Sequence, residues 1–181
     1  GGPPDRWAAR LSGSRFTSLE HVETTGSTNG DLVARACSAA DGTVLVTDHQ
    51  TTGRGRLGRR WDAPSGANLL VSALVRPRWL PEHNPLVTPA LAVAVVDALV
   101  GIGVSTAVKW PNDLVIEGGP AAGKLAGILA EYTAGPPPAV VVGLGLNLAW
   151  PTPGDDAPLG ARSLRACGHT VDRWDLLAAV L

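Results

Sequence analysis

The chain has 181 residues, of which 45% are hydrophobic, and a formal net charge of -1 at pH 7. A chain of this length can bury roughly 70% of its unfolded surface around a single core. The balanced charge excludes a general polyanion binder, so no nucleic-acid partner is predicted. Two widely separated cysteines indicate neither a disulfide framework nor a metal cluster, and they fit a reducing cytoplasm.

The N-terminal residues carry no sign of a targeting segment. Residues 1–14 are rich in Gly, Pro and Arg and predict a flexible leader, so the folded domain is expected to cover residues 15–181. Residues 1–10 lack the apolar centre of a signal peptide. The longest apolar run, residues 90–96, is far shorter than the roughly 20 residues of a membrane span. We therefore expect no membrane association.

The first structural signal is a strand that leads into a helix. Residues 21–29 begin as a strand and end in small hydroxyl and amide side chains, and a helix is predicted over residues 31–39. Ser27, Thr28 and Asn29 therefore lie at a strand-to-helix turn. Such residues either cap the helix and do nothing else, or present polar groups to a ligand.

A second strand, predicted over residues 43–47, ends close to Gln50. Another strand follows over residues 68–75. The helix predicted next, over residues 91–100, has Thr88 as its cap and a glycine just beyond its end. Because this helix is apolar nearly all round, we expect it to be buried against a sheet.

The last third of the chain is predicted to be mostly strands. Short strands are expected over residues 107–110 and 114–116, followed by a hairpin-like pair over residues 124–132 and 139–146. Asp172 is predicted to cap a final helix, which the end of the chain cuts off after few turns.

Residues 51–61 are the most unusual stretch, because they combine three glycines and four arginines with no acid. The glycines allow a ligand to approach the backbone, and the guanidinium groups repel one another unless an anion lies among them. The stretch predicts a loop that closes over an anion, although a solvated face is the alternative. Gly53, Gly55 and Gly58 also match the dinucleotide fingerprint, but turn residues follow where that motif requires a helix.

Two further segments offer charged groups. Residues 118–124 have the spacing of the first seven positions of a phosphate-binding P-loop, but Leu125 replaces the required Ser or Thr, and a strand is predicted where a helix should follow. Lys124 is then either a rim charge or an ammonium directed into a cleft. The turn at residues 109–113 presents a lysine, a tryptophan, an asparagine and the carboxylate of Asp113. That carboxylate could instead form an internal salt bridge with a lysine.

Together these motifs, in this order, resemble the biotin-protein ligases (biotin-[acetyl-CoA-carboxylase] ligases). The matching segments are Gly53 to Trp61 (GRGRLGRRW), Gly66 to Leu69 (GANL), Lys109 to Asp113 (KWPND), Gly123 to Leu129 (GKLAGIL) and Gly143 to Asn147 (GLGLN). The resemblance covers roughly residues 23–148.

The resemblance implies an α+β fold in which a mixed β-sheet packs with helices, related to class II aminoacyl-tRNA synthetases. It implies an enzyme that joins biotin and ATP, with Mg²⁺, into biotinyl-5'-adenylate and pyrophosphate. The biotin then passes to a lysine of a biotin carboxyl carrier protein or domain. The family resemblance also implies a cytoplasmic protein.

The resemblance further assigns residues by position. The catalytic residues would be Lys124, Asp113, Arg54 and Arg56. The residues that contact biotin would be Ser27, Thr28, Gln50, Gly53, Arg54, Arg56, Lys124, Gly127 and Gly143. The residues that contact ATP or its adenine would be Trp61, Asn112, Asn147, Arg56 and Lys109. Trp61 could instead be a core residue and Asn147 a turn residue, and no metal ligand is assigned.

Two features expected in the family are missing from the sequence, namely an N-terminal helix-turn-helix and a C-terminal β-barrel domain. Operator binding is therefore not expected, and transfer to the carrier is less secure than adenylate formation. The alternatives are a lipoate or octanoate ligase-type transferase, whose arginine-serine-glycine-glycine signature is absent, and a fragment that binds biotin or its adenylate without full turnover.

Overall fold

A mixed sheet of seven strands forms the centre of the molecule, and the computed structural model describes residues 6–16, 18–117 and 122–181. The strands are β1 (Ser18–Thr25), β2 (Thr43–Gln50), β3 (Leu69–Val75), β4 (Ala107–Lys109), β5 (Asp113–Ile116), β6 (Gly123–Thr133) and β7 (Ala139–Leu146). Their order in the sheet is β1-β2-β3-β7-β6-β5-β4. The β1 and β2 strands run parallel, and the remaining neighbours are antiparallel. The predicted hairpin is confirmed as the pair β6 and β7.

In the part of the chain that the structure describes, four α-helices lie on the two faces of this sheet. They are α1 (Arg6–Arg10), α2 (Thr28–Ala34), α3 (Val87–Val100) and α4 (Arg173–Val180). Alternate residues of a strand point to opposite faces, so each central strand contributes to two layers. On β7, for example, Val142 and Leu144 join the larger core with α1, α3 and α4, whereas Val141 joins a smaller core with α2. The face toward α2 also carries the small and polar residues of the central strands.

The α2 helix begins earlier than predicted. It starts at Thr28 rather than at Asp31, because the Ser27 side chain accepts a hydrogen bond from the backbone N–H of Gly30 at 3.4 Å and so serves as the cap. It ends at Ala34, and turns follow where the prediction continued the helix to Ala39.

The α4 helix is capped as predicted, since Asp172 accepts hydrogen bonds from the backbone N–H groups of Trp174 and Asp175. At the same end, Arg173 and His21 donate to the carboxylate of Asp48 on β2. Burial raises the pKa of Asp48, but the hydrogen bonds from these two side chains outweigh it, so the pKa lies below its ordinary value. These contacts attach α4 to the edge of the sheet.

The predicted leader is wrong over part of its length. Residues 6–10 form α1, and Trp7 and Leu11 are buried. Trp7 packs edge-on against Trp174 of α4 with ring centroids 6.0 Å apart. The short helix is stabilised by this tertiary contact, which glycine and proline composition does not reveal. Residues 1–5 lie outside the described residues.

The prediction for α3 also needs correction. Its cap is Leu86 and not Thr88, because a 3-10 helix over Pro81–Leu86 leads directly into it. One face is buried against the sheet as predicted, whereas Val93 and Val100 on the other face are more than half exposed. Taken together, residues 81–100 are long and apolar enough to cross a membrane by length and composition alone, and 28% of this segment is buried. The segment consists of the 3-10 helix, which contains Pro85, followed directly by α3.

Candidate active site

A cavity of about 380 Å³ opens on the side of the sheet that carries α2. It is lined by residues from α2, β2, the arginine-rich loop, the turn before β5, and strands β3, β6 and β7. Most of the site residues predicted from the sequence meet here, namely Ser27, Thr28, Gln50, Arg54, Arg56, Trp61, Lys109, Asn112, Asp113, Lys124, Gly127 and Gly143. The volume suits a small-molecule site.

The floor of the cavity consists of glycines on neighbouring strands. Gly127 of β6 pairs with Gly145 of β7, and Gly143 lies two residues away on the same face. The ring of Trp61 rests on this floor, since a Cβ atom added at Gly145 would come within 2.4 Å of Trp61 Cε2. Only glycine leaves room for the indole at this position. Trp61 is therefore neither a core residue nor a surface residue but part of the cavity.

One cation and one carboxylate face each other across β5 and β6. Lys124 Nζ lies 2.7 Å from Asp113 Oδ1 and 5.4 Å from the centroid of the Trp61 ring. The internal salt bridge predicted as one alternative for Asp113 is present. Both Asp113 and Lys124 line the cavity at the same time. Lys109, the other lysine at the site, is exposed at the rim.

Backbone contacts fix the start of β6 and hence Lys124. The backbone N–H of Lys124 donates to Gly160 O at 2.7 Å, and its carbonyl accepts from the N–H of Arg162 at 2.8 Å. Lys124 is followed by a strand, as predicted, and not by the helix that a P-loop requires. Residues 118–121 of that glycine-rich segment lie outside the described residues.

Residues 53–61, called the arginine arm below, form a narrow loop over the cavity. Arg54 and Arg60 pair as an isolated antiparallel bridge, and a short 3-10 turn over Arg56–Gly58 forms the tip. Leu57 at the tip has φ 58° and is 87% exposed, an unusual conformation for a residue with a Cβ atom. No helix follows the glycines, which confirms that this is not a dinucleotide-binding turn.

Two arginines of the arm reach partners outside it, one on β6 and one in the turn before β5. Arg54 Nη2 lies 3.0 Å from Glu131 Oε2 of β6, and Arg56 Nη1 donates to Asn112 Oδ1 at 3.3 Å. Asn112 also donates its Nδ2 to the carbonyl of Ile128 at 2.9 Å. The other two arginines, Arg59 and Arg60, are exposed.

The opposite end of the cavity is polar but uncharged. Gln50 Oε1 accepts from the backbone N–H of Thr28 at 2.9 Å and from its hydroxyl at 3.2 Å. The hydroxyls of Thr28 and Ser72 share a hydrogen bond of 2.7 Å. Ser27, which caps α2, lines the same end. This region offers hydrogen-bonding groups without net charge.

Asn29 connects the polar end to the arginine arm. Its Oδ1 accepts from the Ser72 hydroxyl at 2.6 Å, and its Nδ2 donates to Leu129 O at 3.0 Å and to Glu131 Oε2 at 2.9 Å. The Glu131 carboxylate in turn accepts from Arg54. A continuous series of hydrogen bonds therefore runs from Gln50 to Arg54.

Two predicted site residues do not line the cavity. Asn147 is buried behind β6, where it donates to Arg162 O at 2.9 Å and accepts from Asn68 Nδ2 at 3.0 Å. These contacts anchor the segment that follows β7, and the predicted contact of Asn147 with the nucleotide stays a prediction. Gly53 lies at the base of the arm, where an added Cβ atom would come within 2.1 Å of Trp61 O. It allows the close approach of two chain segments.

Three lining residues were not assigned to the site from the sequence, namely Asn29, Ser72 and Gly145, and Glu131, which does not line the cavity, was missed as the partner of Asn29 and Arg54. Ser72 and Glu131 each interrupt an apolar strand on the face toward α2. An isolated polar residue in a buried strand could have signalled a partner across the sheet. Within the described residues, no group of three or more His, Cys, Asp or Glu side chains could hold a metal ion.

Comparisons with known proteins agree with this geometry. The model of the biotin/lipoate A/B protein ligase family matches residues 24–147. The biotin-[acetyl-CoA-carboxylase] ligase of Mycobacterium tuberculosis is 44% identical over 144 residues, which cover 76% of this chain and 52% of that protein. The bifunctional ligase/repressor BirA of Escherichia coli is 34% identical over 180 residues, which cover 95% of this chain and 52% of that protein.

Among solved structures, the biotin protein ligase from Aquifex aeolicus in complex with biotin and ATP superposes with a TM-score of 0.75 at 29% sequence identity. The match covers 91% of this chain and 67% of that one. The predicted α+β fold with a mixed sheet is confirmed by this likeness. The chain spans about half the length of the curated relatives it matches. Since the family model matches well over half of its residues, the chain belongs to the biotin/lipoate A/B protein ligase family.

Proposed function

We propose that this chain carries the catalytic site of a biotin-protein ligase, which activates biotin with ATP and transfers it to a lysine of a biotin carboxyl carrier domain. The observation that carries the proposal is the meeting of the arginine arm and Lys124 in one cavity that has an uncharged polar end. The names of the curated relatives and the biotin and ATP of the related structure support it.

The two ends of the cavity suit the two ends of biotin. Thr28, Gln50 and Ser72 provide hydroxyl and amide groups that match the neutral ureido ring. The cationic end, with Arg56 and Lys124, suits the carboxylate of the valeryl chain and the phosphates of ATP. The ring of Trp61 lies beside Lys124, where it can stack on the adenine after a local shift.

The first step joins two anions. A carboxylate oxygen of biotin forms a bond to the α-phosphorus of ATP, the bond from that phosphorus to the bridging oxygen breaks, and pyrophosphate leaves. Negative charge accumulates on the phosphoryl oxygens, so fixed cations lower the barrier. Lys124 and Arg56 can stabilise this charge, and Asp113 keeps Lys124 oriented at the cavity wall.

The second step transfers biotin to an amine. The attacking lysine has an ordinary pKa of roughly 10.4 and is charged at neutral pH, so it must lose a proton before it attacks. Asp113 can accept or orient that proton, because it is the carboxylate among the described residues that line the cavity. The nitrogen then forms a bond to the biotin carbonyl carbon and AMP leaves.

The mixed anhydride formed in the first step is destroyed by water, so it requires a cover. The arginine arm is placed to provide one, since Arg54, Arg56 and Leu57 border the opening of the cavity. Closure of a loop over a reactive intermediate excludes water and strengthens the electrostatic interactions inside.

Magnesium is expected to accompany the nucleotide. Among the described residues that line the cavity, Asp113 is the carboxylate, and it is paired with Lys124. This donor set does not build a protein site for Mg²⁺, which commonly binds through substrate phosphates and water. We also expect a cytoplasmic location, where both ATP and the carrier are present.

The proposal is tested by incubating the protein with biotin, ATP and Mg²⁺ and measuring pyrophosphate release and the adenylate by mass spectrometry. Lys124→Ala should reduce release by roughly 10²–10³-fold, while biotin binding remains measurable by calorimetry. Arg10→Ala is a suitable control, because Arg10 forms an exposed ion pair with Asp175 outside the cavity. A biotin carboxyl carrier domain is then added, and its lysine is examined for biotin.

The possible outcomes distinguish the alternatives. Adenylate formation with lipoate or octanoate but not with biotin would indicate the related acyl transferase. Biotin binding without pyrophosphate release would indicate a non-catalytic module. Normal turnover by Lys124→Ala would refute the assignment of the central cation.

A further inference from the structure

Glu131 occupies an unusual position for a carboxylate. It lies on β6 on the same face as Gly127 and Leu129, and its partner across the ladder is the buried Val141. Its side chain is 27% exposed. A carboxylate so placed must be compensated by donors, and the described residues that supply them are Asn29 and Arg54.

These two donors differ in what surrounds them. Asn29 is buried and fully engaged, because it also bonds to Ser72 and to the carbonyl of Leu129. Arg54 is 46% exposed and belongs to the arginine arm. Glu131 Oε2 accepts from both at 2.9 and 3.0 Å. Its carboxylate therefore joins a fixed group of the sheet to a group on a loop.

Arg54 also connects the two sides of the arm at its base. It pairs with Arg60 as an isolated bridge, and the backbone N–H of Gly55 donates to Arg59 O at 2.7 Å. Holding the guanidinium of Arg54 therefore restrains both sides of the arm at its base. An exposed ion pair alone contributes little, but one partner here is already fixed by a buried amide.

We propose that Glu131 is a positioning residue that acts through Arg54 to hold the arginine arm in the orientation that closes the cavity over the adenylate. The expected effect on the adenylate rests on the proposed function, whereas the expected effect on the position of the arm does not. Loss of the carboxylate should leave Lys124 in place and weaken the closure of the arm, which carries Arg54 and Arg56.

Glu131→Gln is the informative variant, because it keeps the size of the side chain and removes the charge. In the ligand-free protein, trypsin should cleave after the arm arginines about fivefold faster, which is the change that a loss of roughly 1 kcal/mol gives. Release of free adenylate, measured per adenylate formed, should rise about fivefold.

Asp62→Asn provides a matched control, because Asp62 pairs with Arg60 of the same arm at 3.0 Å and both side chains are largely exposed. It should change neither cleavage nor adenylate release. A double-mutant cycle then tests the route of the effect. In an Arg54→Ala background, Glu131→Gln should not further accelerate cleavage after Arg59 or Arg60.

The outcomes separate three conclusions. Unchanged cleavage and unchanged adenylate release in Glu131→Gln would overturn the inference. Equal acceleration with and without Arg54 would also overturn it, because Glu131 would then act through the fold and not through Arg54. If wild type forms no adenylate, the proposed function fails, but the cleavage cycle still decides whether Glu131 positions the arm.

Discussion

Replacing Gly143 by alanine tests how tightly the cavity floor is packed. A Cβ atom at this position would lie 2.2 Å from Asn29 Oδ1 and 3.2 Å from Ser72 Oγ. The first distance is about 1 Å shorter than an ordinary contact. Asn29 has little freedom to move, because it is buried and makes hydrogen bonds to β3 and β6. The methyl group should therefore break the bond from Ser72.

The expected loss of stability follows from these contacts. Overpacking costs about 1–3 kcal/mol, and a buried polar group without its partner costs about 1–3 kcal/mol. A total of about 2–6 kcal/mol should lower the urea midpoint by about 1–3 M, for a slope near 2 kcal/mol/M. The slope itself should not change.

Gly55→Ala is the matched control for this experiment. A Cβ atom at Gly55 would meet nothing closer than 3.6 Å, and its φ of -120° suits any residue. The urea midpoint of Gly55→Ala should equal that of wild type or rise slightly, because alanine restricts the unfolded chain. If Gly143→Ala unfolds within about 0.3 M of wild type, the tight contact with Asn29 does not exist.

Three further variants test other parts of the structure. Asp48→Asn removes the carboxylate that accepts from His21 and Arg173, and should destabilise the protein by about 2 kcal/mol at pH 7. The folded pKa of Asp48 lies below its unfolded value, so this stabilisation is present above about pH 4 and is lost as the pH falls through the folded pKa. Denaturation at several pH values should therefore show the stability difference between wild type and Asp48→Asn shrinking in acid. Asp172→Ala removes the cap of α4 and should cost about 1 kcal/mol in thermal unfolding. Trp61→Ala should raise the KM for ATP about tenfold in the pyrophosphate assay, by loss of stacking, with biotin binding retained.

Each of these variants can contradict its prediction. A difference for Asp48→Asn that persists unchanged at pH 3 would show that the lost contact is not ionic. Full stability of Asp172→Ala would mean that α4 is fixed by packing alone. An unchanged KM for ATP in Trp61→Ala would remove the indole from the nucleotide site.

Local patterns predicted much of the fold. The hairpin of β6 and β7 and the cap at Asp172 were predictable because each depends on residues close together in the chain. The order of the sheet was not, since β3 pairs with β7 across a long stretch of sequence. The helix α1 was missed because Trp7 finds its partner, Trp174, at the other end of the chain.

The candidate site shows the same division. Lys124, Asp113 and the arginine arm were predicted because dense charge with glycine is unusual in any fold. The anchoring contacts of Asn147 could not be predicted, because an asparagine after a strand looks the same in sequence whether it faces a cavity or anchors a neighbouring segment. Glu131 was missed because its importance arises from Asn29 and Arg54, which reach it only in the folded molecule.

The depth of the cavity arises from absent side chains and not from a gap in the sheet. Under Gly127, Gly143 and Gly145 the ladder of β6 and β7 continues without interruption, so this surface is as rigid as the sheet itself. Any adaptation to a longer or bulkier acid must therefore occur at the walls, in the arginine arm and the turn before β5. Variants with altered substrate range should be sought in those two segments, where backbone movement does not break strand pairing.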